Sequence, residues 1–136
     1  MSQLINEITK QFMGPNSSLS IKSGDTVKIY QKIKEGSKER IQTFQGLVIR
    51  TDNSSSHLSR ITIRRIASGV GVEKSFLVNS PLVSKIEILR RSKVRRNYLS
   101  YMRQRTGKAA RLSSIDFDKV KVNKVLNVVP PAETTE

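Results

Sequence analysis

A chain of 136 residues and 15.3 kDa suits one domain with tails, large enough to bury a core without a metal or disulfide. It has no cysteine and one histidine, His57, which excludes a disulfide framework, cysteine-ligated zinc, iron–sulfur clusters, thiol catalysis and a multi-histidine metal site within this chain. Twenty-five Lys and Arg against eleven Asp and Glu give a net charge of +14 and a pI near 10.6, a balance that seeks a polyanion.

Residues 1–20 read as a short helix and linker. Leu4, Ile5, Ile8 and Phe12 recur at spacings of three and four, Ser2 can cap, and Gly14-Pro15 stops the helix. After the turn Ser23-Gly24-Asp25 the period changes to two. Val27, Ile29 and Ile33 alternate with Lys28, Tyr30 and Lys32 in a first strand, and Glu35 through Arg40 forms a charged turn. A second strand covers about 41–51, with Gly46 marking a bulge or bend. The polar loop 52–56 leads to a third strand through Ile61, Ile63 and Ile66. Ser68-Gly69-Val70-Gly71 breaks it, a fourth strand carries Val72, Phe76 and Val78, and Asn79-Ser80-Pro81 turns into a fifth with Ile86 and Ile88. Five short strands without an intervening helix argue for a mainly β fold, a small antiparallel barrel over 21–90. Val27, Ile29, Val48, Ile63, Val72, Phe76, Ile86 and Ile88 are its expected core. From Arg90 the pattern shifts again. Val94, Tyr98, Tyr101 and Met102 share a helical face, which predicts a helix from about Val94 to Arg105 ended by Gly107. The last stretch, 113–136, has a short apolar alternation (Val120, Val122, Val125) before Pro130-Pro131 and is expected to be largely flexible.

The charge is concentrated. Residues 90–111 hold nine bases and no acid: Arg90, Arg91, Lys93, Arg95, Arg96, Arg103, Arg105, Lys108 and Arg111. A solvated face needs interspersed signs, whereas these nine repel each other until something neutralises them. Nucleic acid fits. Seven of the nine are arginines, whose planar fork grips phosphate and stacks on bases. Tyr98 and Tyr101 are placed to stack on unpaired bases or to pack on the core. Lys38, Arg40, Arg64 and Arg65 add candidate RNA contacts on the barrel. With so many like charges a turn apart, the isolated segment is expected to fray and to become ordered on RNA. A membrane role is disfavoured, because no run approaches the roughly 18 apolar residues of a spanning helix and 90–111 lacks a bulky apolar face. The first residues have no signal-peptide pattern, so no secretory leader is expected in this stretch.

Catalytic patterns fail on inspection. Thr106-Gly107-Lys108 ends like a phosphate-binding loop, but Met102 stands where that motif needs glycine and Ala109 where it needs Ser or Thr. Gly69-Val70-Gly71 runs on into Val72-Glu73-Lys74, which is not a dinucleotide fingerprint. No enzyme activity, cofactor, metal or small-molecule substrate is expected.

Several segments together resemble the bacterial-type large-subunit ribosomal protein family L-nineteen. They are Ser23-Gly24-Asp25-Thr26-Val27, Glu35 through Gln42, Phe44-Gln45-Gly46-Leu47-Val48-Ile49 and Ser68 through Glu73. The most specific is Arg90 through Arg96, running on to Tyr98 through Arg103 and Thr106 through Arg111. They occur in order across about residues 3–112. The resemblance implies an SH3-like β-barrel, a helical N-terminal appendage and a basic, partly helical extension over 91–112 that binds large-subunit rRNA near the subunit interface. It also implies contact with neighbouring ribosomal proteins, notably the L-fourteen family, a part in an intersubunit bridge to small-subunit rRNA, and residence in the ribosome of a bacterial cytoplasm or an organelle. A free-standing RNA-binding or RNA-chaperone protein with a similar barrel is the alternative. The loop from Asp52 to His57 replaces a glycine- and base-rich turn common in the family, Ser92 stands where glycine is frequent, and 113–136 run past the family's usual end.

Overall fold

The period-two alternation after Asp25 does become strand. The computed structural model describes residues 2–54 and 56–123. In chain order its elements are α1 (Ser2–Gln11), β1 (Thr26–Glu35), β2 (Lys38–Asp52), β3 (Arg60–Ala67), β4 (Val70–Leu77), β5 (Val83–Ser92), β6 (Ser114–Ile115) and α2 (Lys119–Asn123). Short 3₁₀ turns lie at Pro15–Ser18, Ser100–Arg103 and Gly107–Ala110. The strands form one antiparallel sheet in the order β4-β3-β2-β1-β5-β6, curled into a half-barrel.

The curl is written into β2. Its ladder with β3 slips between Val48 and Arg50, and a bulge of that kind bends a strand and increases its twist. At Gly46 a Cβ would lie 2.5 Å from the Arg64 carbonyl oxygen and 2.7 Å from the Ile63 side chain, so only glycine lets the two strands approach this closely. The concave face then buries Val27, Ile29, Val48, Ile61, Ile63, Phe76, Ile86 and Ile88, each at most 4% exposed. Full burial of such side chains contributes about 1.5–3 kcal/mol apiece relative to exposure, enough to fix the strand faces. Phe44 packs beside Phe76 with ring centroids 5.7 Å apart.

Val72 is the exception among the expected core residues, at 40% exposure. It pairs with Arg65, whereas the β2–β3 ladder begins only at Leu47 and Arg64. The β3–β4 hairpin therefore overhangs the sheet there, and the inward position has little to face. Leu19, in the stretch expected as plain linker, and Ile21, at the expected start of the barrel, both enter the core. α1 ends as expected before Gly14-Pro15, but Leu4, Ile5, Ile8 and Phe12 stay more than half exposed. Phe12 meets the His57 ring at 6.2 Å.

Beyond β6 the chain is more ordered than expected as far as it is described. Phe117 and Val122 pack on the core, and the Asn123 side chain donates to the Ile88 carbonyl (2.9 Å) and accepts from the Ile88 N–H (3.0 Å), standing in for a strand neighbour. Val125 and the Pro130-Pro131 stretch lie outside the described residues.

Candidate nucleic-acid interface

The basic extension does not form the helix that its periodicity predicts. From Lys93 to Leu99 the chain is irregular, followed by the two 3₁₀ turns at Ser100–Arg103 and Gly107–Ala110. Bases one turn apart with no acid between them oppose an α-helix, and packing determines the path instead. The Leu99 N–H donates to the Ile49 carbonyl at 2.7 Å. Leu99 and Met102 bury against Ile49 on the convex side of β2, with Leu47, Val94, Tyr101, Ala110 and Leu112 around them. Asn97 locks the start of the run. Its side chain accepts from the Thr51 hydroxyl (2.7 Å) and donates to the Thr51 carbonyl (3.0 Å), and its carbonyl accepts from the Ser23 hydroxyl. The segment expected to fray on its own is thus packed onto the barrel.

The two tyrosines are placed alike. Arg50 and Arg103 lie over Tyr98 at 5.1 and 5.5 Å from its centroid, and Arg96 and Arg105 lie over Tyr101 at 5.8 and 4.5 Å. Each ring draws two cations to it and fixes where their planar forks sit. Both rings are half-buried, so they pack as well as present charge.

Not every base is free. Arg91 forks onto Asp25, with Nε at 3.1 Å and Nη2 at 3.2 Å, and donates to the Ser20 carbonyl at 2.9 Å. Asp25 is wholly buried and also accepts from the Lys22 N–H, so the pair ties the end of β5 to the turn before β1. Arg103 holds both oxygens of Glu73, at 2.7 and 2.9 Å, and Arg64 reaches the same carboxylate at 3.0 Å. Arg103, first among the causes, holds Glu73 below the ordinary glutamate range, and Glu73 with Tyr98 raises Arg103 in turn. Arg64 can lie across β4 only because Gly71 is there, where a Cβ would fall 2.4 Å from its Nη2. Though it points away from the core as expected, Arg64 is only 18% exposed. Arg90 donates to the Leu112 carbonyl at 3.1 Å. Lys93, Arg95, Arg96, Arg105, Lys108 and Arg111 are exposed and have no ion pair among the described residues.

The candidates on the barrel do not all join this surface. Lys38 and Arg40 sit at the far tip of the β1–β2 hairpin, about ten residues and roughly 30 Å along β2 from Arg50. Arg40 there pairs with Glu35 at 2.8 Å, both about 60% exposed. Arg65 is exposed above Phe44 at 5.9 Å. The sequence reading missed Arg50, which joins the tyrosine array. It also missed Asp52, which Arg60 first and Arg50 next hold below the usual aspartate range. Both face outward on β2 only because the bulge after Val48 shifts the register there; alternation counted from Val48 would have placed them inward.

Fold and surface together define a small β half-barrel carrying a packed, acid-free basic strap. A profile of the family Ribosomal protein L19 matches residues 3–115. The chain is 51% identical over 100 residues to the large ribosomal subunit protein bL19 of Mycoplasma mobile, covering 74% of this chain and 85% of that one. It is 43% identical over 115 residues to the bL19 of Clostridium perfringens, covering 85% and 98%. The chain belongs to the ribosomal protein L19 family.

Proposed function

We propose that this protein is a structural constituent of the large ribosomal subunit that binds large-subunit rRNA through its basic strap, with Lys93, Arg95, Arg96, Arg105, Lys108 and Arg111 as the principal phosphate contacts. Family membership makes it a structural protein of the ribosome and not an enzyme. The observation that carries the RNA assignment is the strap itself: six exposed cations without an ion pair among the described residues, on a backbone already fixed to the barrel. Base edges in double-stranded RNA are hidden in a deep groove, so the contacts are to phosphates and 2′-hydroxyls. Lys38, Arg40 and Arg65 form a second, separate contact region at the overhanging hairpins. Arg90, Arg91, Arg64 and Arg103 act chiefly by shaping the strap, with Tyr98 and Tyr101 as its braces. The family resemblance supports a place near the subunit interface beside the L-fourteen protein, with a share in an intersubunit bridge. The open apolar side of α1 offers area for a protein neighbour.

The test is the salt dependence of binding to an rRNA fragment. Six phosphate contacts give a logarithmic slope of roughly −4 to −5, between the single-strand and duplex limits. A slope near zero, or unchanged binding after all six are replaced by alanine, would overturn the assignment. Co-sedimentation with large subunits through a high-salt wash is expected, and a predominantly free pool would favour the free-standing alternative.

A further inference from the structure

A cleft of about 700 Å³ opens between the segment before β1 and the β2–β3 loop, bounded on one side by the start of the basic strap. That volume lies within the roughly 300–1,000 Å³ of small-ligand sites, with room for one nucleotide but not for a duplex. Ser17 and Ser20 on one wall and Ser54 on the other come from segments far apart in the chain, and their hydroxyls have no partner among the described residues. Each hydroxyl offers one donor and two acceptors, which suits a ribose 2′-hydroxyl that itself donates and accepts. Ile21, Val94 and Ile115 supply an apolar side. Among the described residues Asp25 is the one carboxylate in the lining, and it is wholly buried beneath Arg91. The charge that remains is positive, from Lys22, Lys93, Arg95 and Arg96.

We propose that this cleft receives a single unpaired ribonucleotide of the bound rRNA. Its base lies against Ile21, Val94 and Ile115, its sugar hydroxyl meets the serines, and its phosphates lie on Lys93, Arg95 and Arg96. Those three cations belong to the strap as well, so a strand following the strap is led to the cleft mouth. This continuity favours a nucleotide within RNA over a soluble one. The inference rests on the rRNA-binding reading above.

Filling the cleft tests it. Ser20 and Ser54 are both exposed, so Ser20→Trp and Ser54→Trp are expected to melt like the parent protein. Their affinity for the rRNA fragment should fall about tenfold, the scale of one lost base contact, while the salt slope stays unchanged. In subunits assembled with either variant, one base protected by the parent protein should become reactive to chemical probes. Unchanged affinity and an unchanged probing pattern would show the cleft to be empty and overturn the inference while leaving the strap's role intact. A near-zero slope for the parent protein would remove both. Saturable micromolar binding of free adenosine or uridine monophosphate by the isolated protein would assign a soluble ligand and overturn the RNA-borne one. Should a tryptophan variant fail to fold, a photo-crosslinking phenylalanine at position 54 gives a second readout. One crosslinked nucleotide supports the inference, and crosslinks scattered over many overturn it.

Discussion

Arg91 sits in the most basic stretch of the chain, yet the structure gives it a task inside the protein, and Arg91→Ala separates the two readings. Its partner Asp25 is 0% exposed and Arg91 itself 19%. Removing the guanidinium leaves a buried carboxylate that, among the described residues, keeps only the Lys22 N–H as a donor, and breaking a buried pair from one side costs about 3–5 kcal/mol. The bond to the Ser20 carbonyl and the stacking on Phe117, 5.4 Å from its centroid, are lost as well, which favours the upper part of that range. Domains of this size have about 5–15 kcal/mol in total, and the melting temperature should drop by roughly 10–20 °C. Arg91→Lys keeps the charge but lacks the fork, so an intermediate loss is expected. Urea denaturation of Arg91→Ala, Asp25→Asn and the double variant gives the coupling energy, which should exceed about 1 kcal/mol and change little with added salt. A loss below about 1 kcal/mol for Arg91→Ala, together with an rRNA salt slope weakened by about one, would refute the reasoning and return Arg91 to the phosphate contacts.

Glu73 contributes stability in its charged form, because Arg103 and Arg64 hold its folded value below the ordinary one. That contribution is present above the ordinary glutamate value and is lost as pH falls through the depressed folded value, so Glu73→Gln should flatten the acid limb of a melting-temperature profile, and an unaltered limb counts against the network. Gly46→Ala should destabilise by more than about 2 kcal/mol in urea melts, since the 2.5 Å approach to the Arg64 carbonyl is to backbone; a neutral result would mean the strands can separate there. Hydrogen exchange of the free protein should show the Leu99 amide strongly protected without RNA, and rapid exchange there would restore the idea of a segment that orders only on binding.

The strands were legible because each carries apolar residues at period two, and a sheet with one buried face leaves that trace. Ile29, Ile63 and Ile86 could sit on no other side. Val72 was misplaced because the same pattern continues along an overhanging hairpin, and alternation reports which way a side chain points but not whether anything faces it. The charge cluster was equally plain, yet which bases it would lend to a ligand was not. Arg91 and Lys93 look alike in sequence, and only the turn that brings Asp25 under β5, 66 residues away, takes one of them out of solvent. The cleft was invisible for a similar reason, since Ser20 and Ser54 are ordinary loop residues until the sheet curls.

The strap shows how a chain can carry nine bases in 22 residues and stay folded before a partner neutralises them. An α-helix would stack Arg91 with Arg95 and bring Arg96 and Arg103 to the same side, concentrating the repulsion. The observed path spreads it. Leu99 and Met102 bury to hold the backbone, Glu73 and Asp25 each neutralise one strap arginine from the barrel, and Tyr101 takes up two others, Arg96 and Arg105, over its ring. Both carboxylates lie outside the strap, on β4 and beside β1, so the neutralisation also determines where the strap must lie. Apart from Arg90, which donates to the Leu112 carbonyl, the cations left without a carboxylate partner among the described residues occur between Lys93 and Arg111, on backbone that the barrel has already positioned. On the proposed rRNA-binding reading, RNA that meets them gains charge neutralisation without first having to order the segment, because the conformational entropy a disordered tail would surrender on binding is given up at folding.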